Sequence, residues 1–247
     1  MARWHLAVIG LAIYLLALMI AAPATLVDAG LRRISDGRLL LAEAQGSIWS
    51  GSGLIEMRDA GGRTAVAKSI AWRILPTSLL RGHLLCEVEL EHSARYFPVT
   101  LSLTRLELEN ADIHLPAAVL GVAVSKLAAL GLTGEVSMHV ASLSVGPAEL
   151  RGKGTLQWRD AGSAYTPVSP LGDYELNLDA DGTTAQIRLH TLQGPLQLDG
   201  NGAWMNGGRP EFIAIARVPP EHRQQLNPLL HLIGMERGSG EFELRFQ

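Results

Sequence analysis

Apolar and polar residues alternate along most of the chain after residue 37, and this pattern constrains the fold more than any other feature. Between residues 84 and 91, four apolar residues alternate with Leu85, Glu87, Glu89 and Glu91. Alternation with a period of two is typical of β-strands that bury one face. About eleven such stretches, separated by short turns, continue to the C-terminus. Short turns join antiparallel neighbours, so the sequence predicts a mainly β protein with one large, mostly antiparallel open sheet.

Three stretches depart from this alternation and have apolar residues at helical spacing. They are Thr25–Asp36, Pro116–Leu130 and Pro219–Ile233. Pro228 lies inside the third stretch and should kink or split it, because proline removes a backbone donor and clashes with the preceding turn. We therefore expect two or three helices, whose apolar sides cover the sheet.

Two details predict how the strands run. The apolar parity changes between Leu103 and Leu106, which predicts a bulge at Thr104 and Arg105 inside one continuous strand. Glycines occupy apolar positions in a later strand, as at Gly152, where the missing side chain permits bending. The sheet is therefore expected to be curved.

The N-terminal segment contains a run of 17 residues without a charge, Leu6–Ala22, which Pro23 ends. A bilayer core about 30 Å thick needs about 17–25 apolar helical residues, so this run suffices for one transmembrane helix. A signal peptide cleaved near Ala22 is the alternative. We expect residues 1–24 to form a short cytoplasmic stub and a membrane anchor, with residues 25–247 as one exported domain.

The composition excludes several classes of function. A formal net charge of −3 provides no basic surface for nucleic acid. The eight histidines and the single cysteine, Cys86, do not occur at metal-ligand spacing. The sequence contains no phosphate-binding loop and no serine nucleophile motif. We therefore predict no catalytic residue, no cofactor and no metal site.

An ordered set of short motifs resembles a known family over nearly the whole chain. The set begins with a Gly-Ser-Ile-Trp-Ser-Gly stretch, continues through Asn-Gly-Ala-Trp at residues 201–204, and ends with Leu-Asn-Pro-Leu-Leu at residues 226–230, followed by Gly234. No single motif is specific, but their order and spacing are. The residues that carry the resemblance are Gly46, Trp49, Gly51, Trp72, Pro76, Trp158, Pro170, Gly172, Tyr174, Gly194, Gly202 and Trp204.

This set resembles the N component of bacterial type II secretion systems, the general secretion pathway protein N family. The resemblance implies a single-pass, non-catalytic protein of the bacterial inner membrane, with its C-terminal domain in the periplasm. Its implied role is to help export folded proteins from the periplasm across the outer membrane. The implied partners are the other inner-membrane platform proteins, the outer-membrane secretin, and the lipid bilayer around residues 6–22.

The segment after the anchor is also distantly similar to AsmA-type proteins, which build curved sheets with an apolar groove. That likeness implies an AsmA-like curved sheet and an alternative function, in which a periplasmic groove binds or transfers lipid. For the tryptophans and glycines of the motif set, we expect packing and backbone roles in preference to contact with partners.

Overall fold

A computed structural model describes most of the chain. Among the described residues, no helix has both the length and the apolar character needed to cross a membrane. Seven of the 17 residues in the predicted transmembrane run, residues 6–22, lie outside the described residues, so that helix stays a prediction. The described residues are 21–58, 64–91, 96–147, 149–205, 211–238 and 240–246, with nine positions between 4 and 20.

The alternating stretches form a single open sheet in which each described strand is antiparallel to its neighbours. The first twelve strands lie side by side in chain order. The fourteenth strand pairs with the twelfth, and the thirteenth forms the far edge of the sheet. The described strands are β1 (Leu39–Gly46), β2 (Ser50–Arg58), β3 (Thr64–Leu75), β4 (His83–Leu90), β5 (Phe97–Ser102), β6 (Leu106–Pro116), β7 (Leu132–Val145), β8 (Leu150–Ser163), β9 (Gly172–Gly182), β10 (Thr184–Gln193), β11 (Gln197–Met205), β12 (Glu211–Arg217), β13 (Met235–Gly238) and β14 (Glu241–Phe246).

The prediction of a mainly β, open, antiparallel sheet is confirmed, but the predicted number of strands is wrong. The described part of the chain contains fourteen strands, not eleven. One cause lies at Thr104 and Arg105, where a bulge was predicted. The structure has a hairpin turn there, because Leu101 pairs with Leu106 across it. A short turn that reverses the chain changes the apolar parity just as a bulge does.

Four short α-helices occur in the described part of the chain from residue 25 onward. The first matches the predicted helix after the N-terminal run. The predicted single helix at Pro116–Leu130 is two helices, separated by Val124 in an extended conformation. Pro228 neither splits nor ends the last helix, which remains continuous around it. The helices are α1 (Thr25–Ile34), α2 (Val119–Ala123), α3 (Ser125–Ala128) and α4 (Arg223–Ile233).

The sheet curves around the α2–α3 segment. Helix α2 contacts β2 and β3, while its Leu120 lines a cavity together with Phe212 of β12. Strands are spaced about 4.8 Å apart, so β2 and β12 would be about 48 Å apart in a flat sheet. A helix of five residues is about 7.5 Å long. One short helix reaches both regions only because the sheet bends around it.

The inner face of the curve is apolar and the outer face is polar. Cross-strand pairs keep Cys86, Val99, Leu108 and Leu143 in one row, since paired residues point to the same face. Buried residues form three clusters on this face. The largest lies under α4 and includes Phe242, which is completely buried. The smaller clusters surround Trp72 and Phe97.

Candidate functional site

An apolar cavity of about 340 Å³ lies between the inner face of the sheet and the covering helices. Its walls come from strands β7 to β12, from β14, and from the segments that carry α2, α3 and α4. Of the twenty lining residues, three carry a polar side-chain atom, namely Trp158, Ser163 and Tyr174. Binding pockets for small molecules are typically 300–1,000 Å³ and mostly apolar. The cavity is therefore within the usual size range of a ligand site.

The three polar groups of the lining already have partners within the protein. The indole Nε1 of Trp158 donates to the Thr133 carbonyl (3.0 Å), and the Ser163 hydroxyl donates to the Leu130 carbonyl (2.7 Å). The Tyr174 hydroxyl donates to the Leu196 carbonyl (3.0 Å). Burial raises the pKa of Tyr174, so its hydroxyl stays neutral. The lining thus offers a ligand apolar contact and little hydrogen bonding.

The cavity is partly open to solvent and has an apolar lining. Its side chains therefore face water where they lack packing partners, which is unfavourable for apolar surface. Water gains little in an apolar space without polar partners. An apolar occupant would therefore stabilise the fold substantially.

The first five motif residues surround the β1–β2 turn. Trp72 is buried on β3, and its Nε1 donates to the Ile48 carbonyl (3.2 Å). Gly51 of β2 lies under the Trp72 ring, where a Cβ atom would be 2.5 Å from Cζ2. Gly46 has a φ of +91°. The Trp49 carbonyl accepts from the Ile74 amide (2.6 Å), and Pro76 begins the 3₁₀ turn after β3, so both serve this turn region.

A second group of motif residues lies where β8 and β10 end and β9 begins, beside the cavity. Gly172 and Gly194 have positive φ and pack backbone against backbone. Tyr174 is buried, and its ring centroid is 5.6 Å from that of Trp158. Pro170 follows a cis peptide bond in the β8–β9 connection. Only Trp158 and Tyr174 of the motif set line the cavity.

The remaining two motif residues lie on β11, on the apolar face of the sheet. Gly202 packs against Phe212, and Trp204 pairs with Ala185. The structure therefore places the motif set in three regions and not in one site. The residue pattern alone assigned the leucines of α2, α3 and α4 to covering the sheet and did not locate the cavity, although the AsmA likeness implied an apolar groove.

The free edge of β1 is covered by the protein's own α1. The Leu39 amide donates to Ser35 Oγ (2.9 Å), and the Leu41 amide donates to Asp28 Oδ1 (2.8 Å). The hydrogen bond from Arg32 lowers the pKa of Asp28, with the Leu41 amide acting in the same direction. Unpaired strand edges bind other strands readily, so α1 protects this edge from that interaction.

The opposite edge of the sheet is short and exposed. All four residues of β13 are exposed, and 78% of the Met235 surface is accessible. Behind them, the buried carboxylate of Glu243 on β14 forms ion pairs with Arg237 and Arg245. In the described part of the chain, β13 is thus the sheet edge that remains accessible to a partner strand.

Among the described residues, no group of three or more histidine, cysteine or acidic side chains has metal-binding geometry. A hollow of about 390 Å³ on β1–β4 is lined partly by Glu43, Glu89 and Glu91 and is more open to solvent than the apolar cavity. The Cys86 thiol is half-buried, and its burial raises its pKa.

The fold and the cavity together define a class of protein: an open, curved β-sheet with an apolar inner face covered by short helices. The family model described as "Type II secretion system (T2SS), protein N" matches residues 37–245, and the chain belongs to this family. The protein is therefore involved in type II secretion. No curated protein matches the chain. No solved structure matches it either.

Proposed function

We propose that the protein is a non-catalytic component of the inner-membrane part of the type II secretion system. In this proposal, residues 6–22 anchor it in the inner membrane and the sheet lies in the periplasm. It supports the export of folded proteins across the outer membrane by contacting other proteins of the system. The partners are the other inner-membrane platform proteins, with the outer-membrane secretin as a further contact.

The observation that carries this proposal is the difference between the two edges of the sheet. Backbone groups of β1 are bonded by α1, whereas the four residues of β13 are exposed. Partner proteins commonly add a strand to an exposed sheet edge, where backbone hydrogen bonds supply affinity. Membership of the secretion family supports partners that belong to the same secretion system. We therefore assign partner binding to the β13 edge.

The membrane anchor in this proposal is supported by the described side chains of the N-terminal segment. Leu11, Ile13, Leu18 and Ile20 are each 51–62% exposed. Apolar side chains that neither pack on the sheet nor carry charge are suited to a lipid environment.

Site-specific photo-crosslinking in intact cell envelopes tests the assignment to the β13 edge. A photoreactive residue replaces Met235 on the exposed edge, and the matched control places it at Ile34, which is 88% exposed on α1 at the covered edge. We expect adducts with secretion-system proteins from position 235 and not from position 34. Equal yields from both positions, or adducts from position 34 alone, would contradict the assignment of partner binding to the β13 edge.

A second function is favoured by the apolar cavity: the protein binds lipid through one acyl chain. A group the size of a water molecule, such as one methylene of an acyl chain, occupies about 30 Å³. The cavity of about 340 Å³ therefore accommodates about eleven methylene groups. The three polar lining groups are internally bonded, so the recognised part of the ligand is hydrocarbon. This function and the first are compatible, since a secretion component can also contain a structural lipid.

Lipid extraction from the purified full chain tests this second function. Leu189 and Leu192 lie on the same strand, but only Leu189 lines the cavity, while Leu192 is 49% exposed. We expect Leu189→Trp to fill the cavity and reduce co-purified lipid at least about tenfold, and Leu192→Trp to leave it unchanged. The same amount of lipid on both variants would locate it outside the cavity and refute the assignment.

A further inference from the structure

Five apolar side chains form a row across five strands at one end of the sheet. The register pairs each member with the next, from β4 to β8. Paired residues point to the same face, so the five side chains lie side by side over about 19 Å. We call them the rim row: Leu84, Leu101, Leu106, Val145 and Leu150.

The three middle members of the rim row are exposed, and the two end members are half-buried. Leu101, Leu106 and Val145 are 37–41% exposed, whereas the next apolar residues along the same strands are partly buried. Leu103, in the turn between β5 and β6, is fully exposed beyond the row. Single exposed apolar residues are ordinary, but a contiguous group of this kind marks a contact surface.

The rim row lies at the end of the sheet where the chain arrives from its N-terminal apolar run. The Ile48 amide donates to the Ala22 carbonyl (3.0 Å), and the Ala24 amide donates to the Gly46 carbonyl (3.2 Å). These bonds tie residues 22–24 to the β1–β2 turn. Because each strand reverses the direction of the last, the turns after β1, β3, β5 and β7 all lie at this end. No free linker separates the N-terminal apolar run from this end of the sheet.

The charges near the rim row favour an anionic surface. Arg81 ends the turn before β4, Arg105 follows Leu103, and Arg151 follows the last member of the row. Glu149 offsets part of this charge by pairing with Arg105 (3.0 Å) and with Arg151 (3.9 Å), while Arg81 ends the turn on the other side of the row. Basic side chains beside apolar ones are typical of surfaces that bind the headgroup region of anionic bilayers.

We propose that the rim row and Leu103 contact the membrane that holds the N-terminal segment. Leu103 enters the boundary between headgroups and acyl chains, and Arg81 and Arg105 contact lipid phosphates. This second contact fixes the sheet in one orientation on the bilayer instead of leaving it free to rotate about its anchor. The proposal rests on the membrane anchor of the proposed function but not on any protein partner.

Lipid-borne quenching tests this contact on the full chain. A Cys86→Ala background carries one new cysteine, either Leu103→Cys or the control Leu192→Cys, which lies in the turn region at the opposite end of the sheet. Each is labelled with a fluorophore and inserted into nanodiscs of neutral and anionic phospholipid. We expect spin-labelled phospholipid to lower the fluorescence at position 103 at least about twofold, and at position 192 hardly at all.

The possible outcomes are distinct. If the chain inserts but position 103 is not quenched more than position 192, the rim contact is refuted while the anchor stands. If the chain does not insert, the anchor fails and the rim contact fails with it. If position 103 is shielded from aqueous iodide in the nanodiscs but is not quenched by spin-labelled phospholipid, another protein surface covers it, which also refutes the proposal. Greater quenching with anionic than with neutral lipid supports the roles of the two arginines.

Discussion

Trp72 joins three parts of the protein, so its replacement gives a large and calculable effect. Its side chain is 6% exposed and packs with Ala24, Leu41 and residues of α1. Truncating a buried tryptophan to alanine costs about 3–5 kcal/mol. The lost hydrogen bond to the Ile48 carbonyl adds about 1 kcal/mol. We therefore expect Trp72→Ala to lower the free energy of unfolding by about 4–6 kcal/mol.

Thermal unfolding of the full chain in mild detergent, followed by circular dichroism, measures this loss. A domain of this size loses about 2–4 °C in Tm per kcal/mol, so Trp72→Ala should lower Tm by about 8–24 °C. Trp72→Phe keeps most ring contacts and loses the hydrogen bond, so its decrease should be several times smaller. A Tm unchanged by Trp72→Ala would refute the packing role and would favour a role in binding.

Three further predictions use the same turn region and the anchor. Gly51→Ala should destabilise the fold by about 1–3 kcal/mol through a clash with the Trp72 ring, while Gly30→Ala, with open space around it, should not. The pKa of Asp28 is lowered in the folded protein, so its charged form stabilises the fold at pH values above the usual aspartate pKa of about 3.9, and this stabilisation is lost as the pH falls through the lowered pKa. Asp28→Asn should therefore make the free energy of unfolding depend less on pH in the acid range. The same pH dependence in both proteins would contradict this. Deleting Met1–Pro23 should move the chain to the soluble fraction after a high-salt wash, and persistent retention would contradict a single anchor.

The sheet was predictable because alternation records which face of each strand is buried. The same pattern could not give the number of strands. The hairpin at Ser102–Arg105 contains Leu103 between polar residues, so it resembles a continuing strand. Strand ends are set by hydrogen bonds between neighbours, which the local sequence does not contain.

The break between α2 and α3 was not predictable from apolar spacing. Leu120, Val124 and Leu127 have the spacing of one helix, but Val124 is extended. The two helices fold against each other at Gly121, where a Cβ atom would be 2.8 Å from the Ala128 Cα. That approach depends on a tertiary contact, and a spacing pattern cannot report it.

The cavity was not predictable for a similar reason. Sequence patterns identify apolar faces, but a cavity is the space left where two such faces do not fully meet. The leucines of α4 and β10 have the same pattern whether they touch or leave a gap.

The hydrogen bonds that Asp28 and Ser35 accept from the β1 edge could be identified only from the structure. Acidic and hydroxyl side chains beside an edge strand are nevertheless a usable signal in the sequence.

Native mass spectrometry of the full chain, isolated from envelopes in mild detergent, tests the central claim most directly, since it detects bound proteins and bound lipids together. We expect the chain in assemblies with other type II secretion proteins, and we expect these assemblies to be lost when a proline replaces Glu236 on β13. If the chain emerges without any secretion protein and carries only lipid, its action through protein contacts is contradicted and the lipid-binding function stands alone.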